Sequence, residues 1–347
     1  MPAPASPPRI LVRADAGPEL GGGHIMRCLA LAAALTERGA QIAFACAPGS
    51  ATLVPALSRS GYPCLDAAAP ADAPLPDSWG GRADAVIIDL YTSTRADETC
   101  LRALAPVIAV IEDLPDRLHD CDLLVDQGFD PDRTAYARRV PPGSDLLLGP
   151  DMAPLRPGFA SLRSEALARR LREPGLQRIL IAMGLTDLGS ISARLVDLVR
   201  TVLPDIALDV VLGPQVASLP LLRRRAQTDS NLSLLVDIDN MAERMMAADL
   251  AIGAGGGTAL ERCVLGLPSI VIVLAENQRP AARAMARHGA VLTIEKPEML
   301  PETLPGLLRA LTDRQLARMS DHAAALCDGR GASRIADALI GRISQAA

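Results

Sequence analysis

Aromatic side chains, paired cysteines and blocks of like charge are scarce in this chain of 347 residues. Aromatic residues make up 2% of the sequence, and the seven cysteines form no C-x-x-C pair. An odd number of scattered cysteines argues against a zinc or disulfide framework and favours a reducing compartment. The net charge is −5, so the electrostatic footprint of a nucleic-acid-binding protein is missing. We expect a cytoplasmic protein with no nucleic-acid partner.

Long apolar runs and metal motifs are also missing. Apolar runs such as PSIVIVLA are far shorter than the ~20 residues of a membrane-spanning helix. The N-terminal MPAPASPPRILVRAD has no basic region followed by a long apolar one, so no signal peptide is expected. Neither H-E-x-x-H nor G-x-S-x-G occurs. We therefore predict no membrane partner, no metal and no cofactor.

Apolar segments of strand length alternate with helical patterns along the whole chain. Hydrophobic residues make up 49% of it, enough for two cores. Continuous Val, Ile and Leu runs of this kind suit parallel sheets covered on both faces. The strands predicted in the first half are RILVRAD, AQIAFACA, ADAVIIDLY, PVIAVIEDL, CDLLVDQG and SDLLLGP, and those in the second half are QRILIAMG, IALDVVLG, LSLLVDI, ADLAIGAG and PSIVIVL.

The two halves share one plan, which predicts an α/β protein of two Rossmann-like domains facing a cleft. A charged helical stretch separates them near residues 150–175. We place the N-terminal domain at 1–155 and the C-terminal domain at 156–347, with the last helix allowed to pack back on the first domain.

The stretch GGGHIMR follows the first predicted strand and opens a helix. Gly22 and Gly23 let a ligand approach the backbone closely, and the free N–H groups of a first helical turn favour negative charge. The positive end of the helix dipole disfavours an imidazolium at His24, so a neutral ring able to accept a proton from water is expected. His24 as a simple cap or filler of the helix start stays open as the alternative.

A second glycine-rich turn, GAGGGTALE, follows the predicted strand ADLAIGAG. Backbone N–H groups of Gly255, Gly256 and Gly257 can hold a pyrophosphate, and Glu261 is spaced to accept hydrogen bonds from a ribose. The alternative is a tight turn in which Thr258 and Glu261 form a capping box. The polar segment AENQ, with Asn277 and Gln278, follows the next strand and is expected at the same edge of the sheet.

Further polar residues stand at strand ends of the first half. These lesser candidates are Asp15, Asp89, Tyr91, Asp113 and Asp126. Carboxylates in such positions often cap helices or bind loop amides, which is the favoured interpretation for any single one of them. Tyr91 comes directly after VIIDL and is suited to orient a water or a sugar.

Several segments in the right order resemble the UDP-2,4-diacetamido-2,4,6-trideoxy-β-L-altropyranose hydrolases of pseudaminic acid biosynthesis. They are RILVRADAGPELGGGHIMRCLALA, VIEDLPDRLHDCDLLVDQ, LLGPDMAPLRPGFA, ILIAMGLTD and GAGGGTALERCVLGLPSIVIVLAENQ, within about residues 9–290. The resemblance implies the glycosyltransferase B (GT-B) fold, similar in architecture to the transferase that adds N-acetylglucosamine to lipid-linked muramyl peptides. It also implies metal-independent, inverting hydrolysis of a UDP-sugar.

The resemblance also implies roles for individual residues. Its catalytic histidine falls on His24, its active-site tyrosine on Tyr91, and its UDP-binding turn and glutamate on Gly255–Thr258 and Glu261. We predict two sets of site residues, a catalytic set (His24, Tyr91, Asp15) and a substrate-binding set (Gly22, Gly23, Arg27, Gly255, Gly256, Gly257, Thr258, Glu261, Asn277, Gln278).

Two positions depart from the family pattern, Leu185 in MGLTD and Glu112 in IEDL, and Leu185 leaves the identity of the sugar open. The predicted partner is a UDP-linked diacetamido-trideoxy sugar, handled by a monomer. A glycosyltransferase with a UDP-sugar donor, a hydrolase of a related sugar, an epimerase and a non-catalytic binding protein remain as alternatives.

Overall fold

The structure is a computed structural model that describes residues 6–346. Residues 1–5, part of the segment in which no signal peptide is expected, and residue 347 lie outside the described residues. Contacts divide the chain into two compact units. The first runs to Pro157 and takes up the chain again from Arg330, and the second is Gly158–Gly329.

The first unit is built on a parallel sheet of seven strands. In spatial order they run β3-β2-β1-β4-β5-β6-β7. Their bounds are β1 Arg9–Ala14, β2 Gln41–Cys46, β3 Cys64–Asp66, β4 Ala85–Asp89, β5 Val107–Glu112, β6 Leu123–Asp126 and β7 Asp145–Leu148. The strand order reverses between β1 and β4, so the loops that leave these two strands diverge and open a crevice at their carboxyl ends.

Helices follow several strands of the first unit, and one more helix is added by the end of the chain. They are α1 Gly23–Thr36, α2 Ser50–Leu53, α3 Pro55–Arg59, α4 Arg95–Leu101, α5 Arg133–Ala137 and the last helix of the chain, α14 Gly331–Ala346. The segment TLVPALSRSG contains the end of α2 and the whole of α3 instead of one continuous helix, because Pro55 lacks the N–H that a continuous helix needs and begins α3. Helix α14 packs on α1. Just after the end of α1, Nε of Arg38 donates to Oδ1 of Asp337 in α14 at 2.7 Å.

The second unit contains a parallel sheet of six strands in the order β10-β9-β8-β11-β12-β13. The strands are β8 Arg178–Ala182, β9 Ala207–Leu212, β10 Leu232–Val236, β11 Leu250–Ala254, β12 Ser269–Ile272 and β13 Val291–Ile294. The helices are α6 Pro157–Arg172, α7 Ile191–Val202, α8 Leu219–Ala226, α9 Met241–Ala247, α10 Thr258–Val264, α11 Arg279–Arg287, α12 Leu300–Ala310 and α13 Asp313–Leu326. The order reverses between β8 and β11, which gives this sheet its own crevice.

Short 3₁₀ turns complete the description, at Asp77–Trp79, Pro150–Met152, Leu188–Ser190, Glu276–Gln278 and Pro297–Met299. Among residues 6–346 no helix combines the length and apolar character needed to cross a membrane.

Each sheet is covered on both faces by apolar side chains. Strand β4 is buried at all five residues and β12 at all four. Each fully buried aliphatic side chain stabilises a unit by roughly 1.5–3 kcal/mol relative to exposure. The cores therefore fix the strands, while the loops at the strand ends remain available for chemistry.

Candidate active site

His24 and Asp89 form the centre of a polar cluster at the carboxyl end of the first sheet. Nδ1 of His24 lies 2.6 Å from Oδ1 of Asp89, and the two residues are 7% and 1% exposed. Burial opposes ionisation of Asp89, but the charges and hydrogen bonds of Arg27 and His24 outweigh it and hold the pKa of this carboxyl well below its usual range. An ionised carboxylate only accepts hydrogen bonds, so Nδ1 of His24 carries the proton. When the ring is neutral, Nε2 therefore has the lone pair.

Local backbone geometry brings His24 to this position. Gly17 and Gly21 exchange two backbone hydrogen bonds of 3.2 and 2.7 Å, which close the loop before α1. Gly21 has a φ of +75°, a conformation that other residues rarely adopt, and Gly22 is the N-cap of α1. A Cβ atom on Gly23 would meet no atom within 4 Å, so the backbone beside His24 borders open space.

Arg27 lies one helical turn after His24 and joins two carboxylates. Its Nε and Nη2 donate to the two oxygens of Asp89, each at 2.6 Å, and its Nη1 donates to Oδ1 of Asp113 at 2.8 Å. Burial works against the cation, but Asp89 and Asp113 outweigh it and raise the pKa of Arg27 well above its usual value. Arg27 is thus a permanent charge that fixes both carboxylates, of which Asp89 contacts His24.

Tyr91 contacts the same cluster from the loop after β4. Its hydroxyl donates to Oδ2 of Asp113 at 2.6 Å. Its ring meets the His24 ring edge to face, with centroids 4.7 Å apart and planes at 89°. Tyr91 is 40% exposed, so its ring covers one side of the imidazole while remaining accessible.

Arg117 holds the loop that carries Tyr91. Its Nη1 donates to the carbonyl oxygens of Tyr91 and Ser93, both at 2.7 Å, and its Nε donates to Oε2 of Glu112 at 3.0 Å. The other oxygen of Glu112 accepts from the N–H of Asp113 at 2.9 Å. The Glu112 carboxylate thereby ties the Tyr91 loop to the backbone of Asp113.

His119 lies behind this clamp between two glutamates. Its Nδ1 is 2.8 Å from Oε1 of Glu98, and its Nε2 is 3.5 Å from Oε2 of Glu112. Burial opposes the imidazolium, but both carboxylates outweigh it and raise the pKa of His119 to about 9. At neutral pH His119 is a buried cation that supports Glu112.

Asp15 stands apart from the His24 cluster. Its carboxylate pairs with Arg13 and accepts from the N–H of Ala47 at 2.6 Å. Within the described residues these contacts tie Asp15 to the end of β2, and no hydrogen bond joins it to His24. The structure therefore brings together His24, Arg27 and Tyr91 of the predicted site but not Asp15.

Asp89 and Asp113 belong to the cluster, although the sequence predicted them only as lesser candidates. Both stand at the ends of buried strands, at the last residue of β4 and directly after β5. The signal that would have singled them out is that β1, β4 and β5 are neighbours in the sheet. Adjacent parallel strands bring their final residues to one edge.

The second glycine-rich turn lies at the carboxyl end of β11, beside the point where the second sheet reverses its strand order. Gln278 packs against it, since a Cβ atom on Gly255 would lie 3.3 Å from Cβ of Gln278. Oε1 of Gln278 accepts from the N–H of Leu274 at 3.2 Å, which keeps its side chain beside the turn. The structure therefore brings Gly255, Gly256 and Gln278 together.

The capping-box interpretation of Thr258 and Glu261 is wrong. Thr258 is the first residue of α10 and not its N-cap. The N-cap is Gly257, so no side-chain hydrogen bond caps this helix. Thr258 is partly buried, and Glu261 is buried at 7% exposure in the first helical turn. Asn277 lies in the 3₁₀ turn Glu276–Gln278 after β12.

Each unit thus presents its own polar group at the switch point of its own sheet. The first combines an imidazole, an arginine, a tyrosine and two carboxylates, a set suited to proton transfer. The second combines a glycine-rich turn with a glutamate and amide side chains, a set suited to an anionic and hydroxylated ligand. Among residues 6–346 no three His, Cys, Asp or Glu side chains are grouped to hold a metal ion.

Comparison with protein families matches residues 188–338 to the glycosyltransferase family 28 C-terminal domain. Over 114 residues the chain is 37% identical to the UDP-N-acetylglucosamine–N-acetylmuramyl-(pentapeptide) pyrophosphoryl-undecaprenol N-acetylglucosamine transferase of Methylibium petroleiphilum. That match covers 31% of each chain, so the chain spans about a third of the length of this relative.

Two further comparisons extend over most of the chain. The chain is 24% identical to the UDP-2,4-diacetamido-2,4,6-trideoxy-β-L-altropyranose hydrolase of Campylobacter jejuni over 283 residues, 81% of this chain and 97% of that one. The crystal structure of MurG from Acinetobacter baumannii superimposes with a TM-score of 0.63 at 17% identity, covering 96% of this chain and 100% of that one. The resemblance to the pseudaminic acid pathway hydrolases is confirmed, and the chain has the predicted GT-B fold of two Rossmann-like domains.

Proposed function

We propose that this protein is an enzyme that acts on a UDP-sugar, and that it hydrolyses the sugar–phosphate bond to release UDP and 2,4-diacetamido-2,4,6-trideoxy-L-altrose. The observation that carries the proposal is the 2.6 Å contact between Nδ1 of His24 and Oδ1 of Asp89. Similarity to the Campylobacter jejuni hydrolase over 81% of the chain supports the choice of substrate.

His24 is the proposed general base. Asp89 fixes the tautomer with Nδ1 protonated, so Nε2 accepts a proton from the attacking water. Around a neutral imidazole, Arg27, Asp89 and Asp113 together hold one positive and two negative charges. Proton uptake by His24 brings this cluster to neutrality, which stabilises the imidazolium as it forms.

The reaction is a single displacement. Water attacks the anomeric carbon, its proton passes to Nε2 of His24, and the bond from that carbon to the UDP oxygen breaks with its electron pair leaving on UDP. Attack opposite the leaving group inverts the anomeric configuration. UDP is a good leaving group, so the proposal needs neither a metal nor a separate general acid.

Arg27 is proposed as a support for His24 rather than as a direct substrate ligand. Its three guanidinium nitrogens are engaged by Asp89 and Asp113. An arginine that bridges two carboxylates orients both of them, and here it thereby orients the His24 ring. Asp15, bound to Arg13 and Ala47, is assigned a structural role in the loop after β2.

The second unit is proposed to bind the UDP moiety. The backbone of Gly255–Gly257 would receive the diphosphate, and Glu261 would accept hydrogen bonds from the ribose hydroxyls. Gln278 contacts the same turn, which supports its assignment, with Asn277, to the substrate-binding group.

A glycosyltransferase that passes the sugar to an acceptor is the second candidate. The match of residues 188–338 to the glycosyltransferase family 28 C-terminal domain favours it. The same donor site would serve both reactions, so the two differ only in whether water or an acceptor attacks.

Incubation of the purified protein with the UDP-linked diacetamido-trideoxy sugar, without acceptor and with EDTA, tests the proposal. We expect stoichiometric release of UDP and of free sugar, whose first-formed anomer in the NMR spectrum has the inverted configuration. Release of UDP only after an acceptor is added would assign the protein to the transferases. Retention of configuration would exclude the single displacement.

A further inference from the structure

Arg262 is a buried cation at the carboxyl end of the second sheet. It lies in α10, directly after Glu261, and is 1% exposed. Its Nη2 donates to the carbonyl oxygen of Ala254 at 2.9 Å, while its Nε and Nη1 are buried and have no hydrogen-bond partner among the described residues. Burial lowers the pKa of Arg262 to about 10, and the charge of Glu261 offsets part of the effect, so the guanidinium is still protonated at neutral pH.

The fold makes room for this guanidinium at the switch point between β8 and β11. A Cβ atom on Gly253 would lie 2.5 Å from Nη1 of Arg262 and 2.8 Å from the carbonyl oxygen of Ala182. Only a glycine at position 253 therefore admits the arginine. Ala254, which accepts its hydrogen bond, is the last residue before the glycine-rich turn.

The hydrogen bond to Ala254 also orients the first peptide of that turn. A trans peptide directs its C=O and N–H to opposite sides. Since the Ala254 oxygen points to Arg262, the N–H of Gly255 points away from the guanidinium. The guanidinium and the N–H of Gly255 thus lie on opposite sides of this peptide.

A charge kept in the protein interior without an ion-pair partner costs folding free energy, and strongly perturbed ionisable groups cluster at functional sites. We propose that Arg262 is a buried countercharge that acts through the Gly255–Gly257 turn on the diphosphate of a bound nucleoside diphosphate. Its low-dielectric surroundings extend the reach of its charge, so it favours ligands with a diphosphate over the nucleoside alone. This inference rests on the proposed binding of UDP by the second unit.

Arg170 offers a matched control at the other end of β11. Burial also lowers the pKa of Arg170 to about 10. Its Nε, Nη1 and Nη2 donate to the carbonyl oxygens of Leu265, Ala248 and Met245 at 3.0, 2.6 and 3.0 Å. Ala248 precedes β11, whereas Ala254 ends it. The two arginines therefore share chemistry but differ in their distance from the turn.

The experiment compares the dissociation constants of UDP and uridine, by calorimetry, for the whole protein and four variants. In Arg262→Met we expect UDP to bind roughly tenfold more weakly, with uridine changed less than about twofold. Arg262→Lys keeps the charge and is expected to keep the preference for UDP over uridine. Arg262→Gln keeps a hydrogen-bond donor for Ala254 but loses the charge, so we expect it to lose this preference. Arg170→Met is expected to leave the ratio of the two constants unchanged.

Equal weakening of UDP and uridine in Arg262→Met would overturn the inference, because it would mean that the arginine only shapes the turn. An unchanged preference for UDP in Arg262→Met or Arg262→Gln would overturn it as well. If Arg262→Met or Arg262→Gln fails to fold, Arg262→Lys tests the role of the charge. Loss of the preference for UDP in a folded Arg262→Lys protein would contradict that role. If the wild-type protein binds neither UDP nor uridine, the proposed function itself fails.

Discussion

Nδ1 of His24 and Oδ1 of Asp89 are 2.6 Å apart, although 65 residues separate them in the chain. The contact arises because β4, which ends at Asp89, lies beside β1, whose following loop leads into α1. A carboxylate fixed in this way selects the tautomer of the imidazole. The consequences can be measured residue by residue.

Replacement of His24 by alanine is expected to reduce the rate of UDP release by roughly 10²- to 10⁴-fold, the usual contribution of a general base. The dissociation constant for UDP should change little, because the proposed UDP-binding residues belong to the second unit. Steady-state kinetics and calorimetry measure the two quantities separately. His288→Ala, at an exposed position of the second unit, is the control. Wild-type turnover by a folded His24→Ala protein would rule out His24 as the base.

The Asp89→Asn variant should lower kcat by at least about tenfold and also destabilise the first unit by about 3 kcal/mol. The amide no longer selects the Nδ1–H tautomer, and it leaves the buried Arg27 without one of its two anions. Kinetics and urea unfolding followed by circular dichroism measure both effects. Asp126→Asn is a matched control, since Asp126 ends the next strand but one and binds the hydroxyl of Tyr136 at 2.9 Å. Its kcat should stay near that of the wild type; a loss equal to that of Asp89→Asn would refute a specific role for Asp89.

Two contacts of the Tyr91 side chain, with Asp113 and with His24, can be distinguished by substitution. Tyr91→Phe keeps the edge-to-face contact with His24 and removes the hydrogen bond to Asp113, so we expect a fall in kcat of about three- to tenfold. Tyr91→Leu removes both contacts, so its kcat should fall further than that of Tyr91→Phe. Identical kcat values for these two variants would show that the ring itself contributes nothing.

If Glu261 binds the ribose, its effect depends on the 2′-hydroxyl of the ligand. The wild-type protein should bind UDP roughly tenfold more tightly than 2′-deoxy-UDP, the usual magnitude for a hydrogen bond to a charged group. Glu261→Gln should bind both ligands with similar, weaker affinity. Competition binding measures the four constants, and an undiminished preference for UDP in the variant would contradict the assignment.

The buried pair of Glu98 and His119 makes the stability of the first unit depend on pH. The folded-state pKa of His119 is raised to about 9, above the ~6.5 of an unfolded histidine, by the two glutamates against the effect of burial. Its stabilising contribution is therefore complete below about pH 6.5 and is lost as the pH rises through about 9. Melting temperatures between pH 6 and pH 9.5 should fall more steeply for the wild type than for His119→Gln. Parallel curves would contradict this, and His322→Gln should behave as the wild type.

Much of the fold follows from local pattern. The eleven predicted segments all contain strands, because parallel strands buried on both faces need unbroken apolar runs. Strands β3 and β13 were not predicted. The three residues of β3, Cys64–Asp66, contain no apolar run and form part of the sheet only because β2 lies beside them.

Some residues of the candidate site could likewise be predicted from the sequence, and others could not. His24 and Tyr91 could be identified from motifs in the chain, as could the turn Gly255–Gly257. The participation of Asp89 and Asp113 could not, because Arg27 reaches them across 62 and 86 residues of sequence. Arg262 was missed since a charged residue inside a helical pattern looks like part of a solvated face.

The sequence by itself determined the α/β class, the two glycine-rich turns and the histidine at a helix start, since each depends on residues adjacent in the chain. Only the tertiary structure decided which carboxylates belong to the His24 cluster and that Asp15 is not among them. It also decided that Arg262 is buried under a turn rather than exposed. Strand order is a property of the packed sheet, and it brings together side chains that no spacing in the sequence relates.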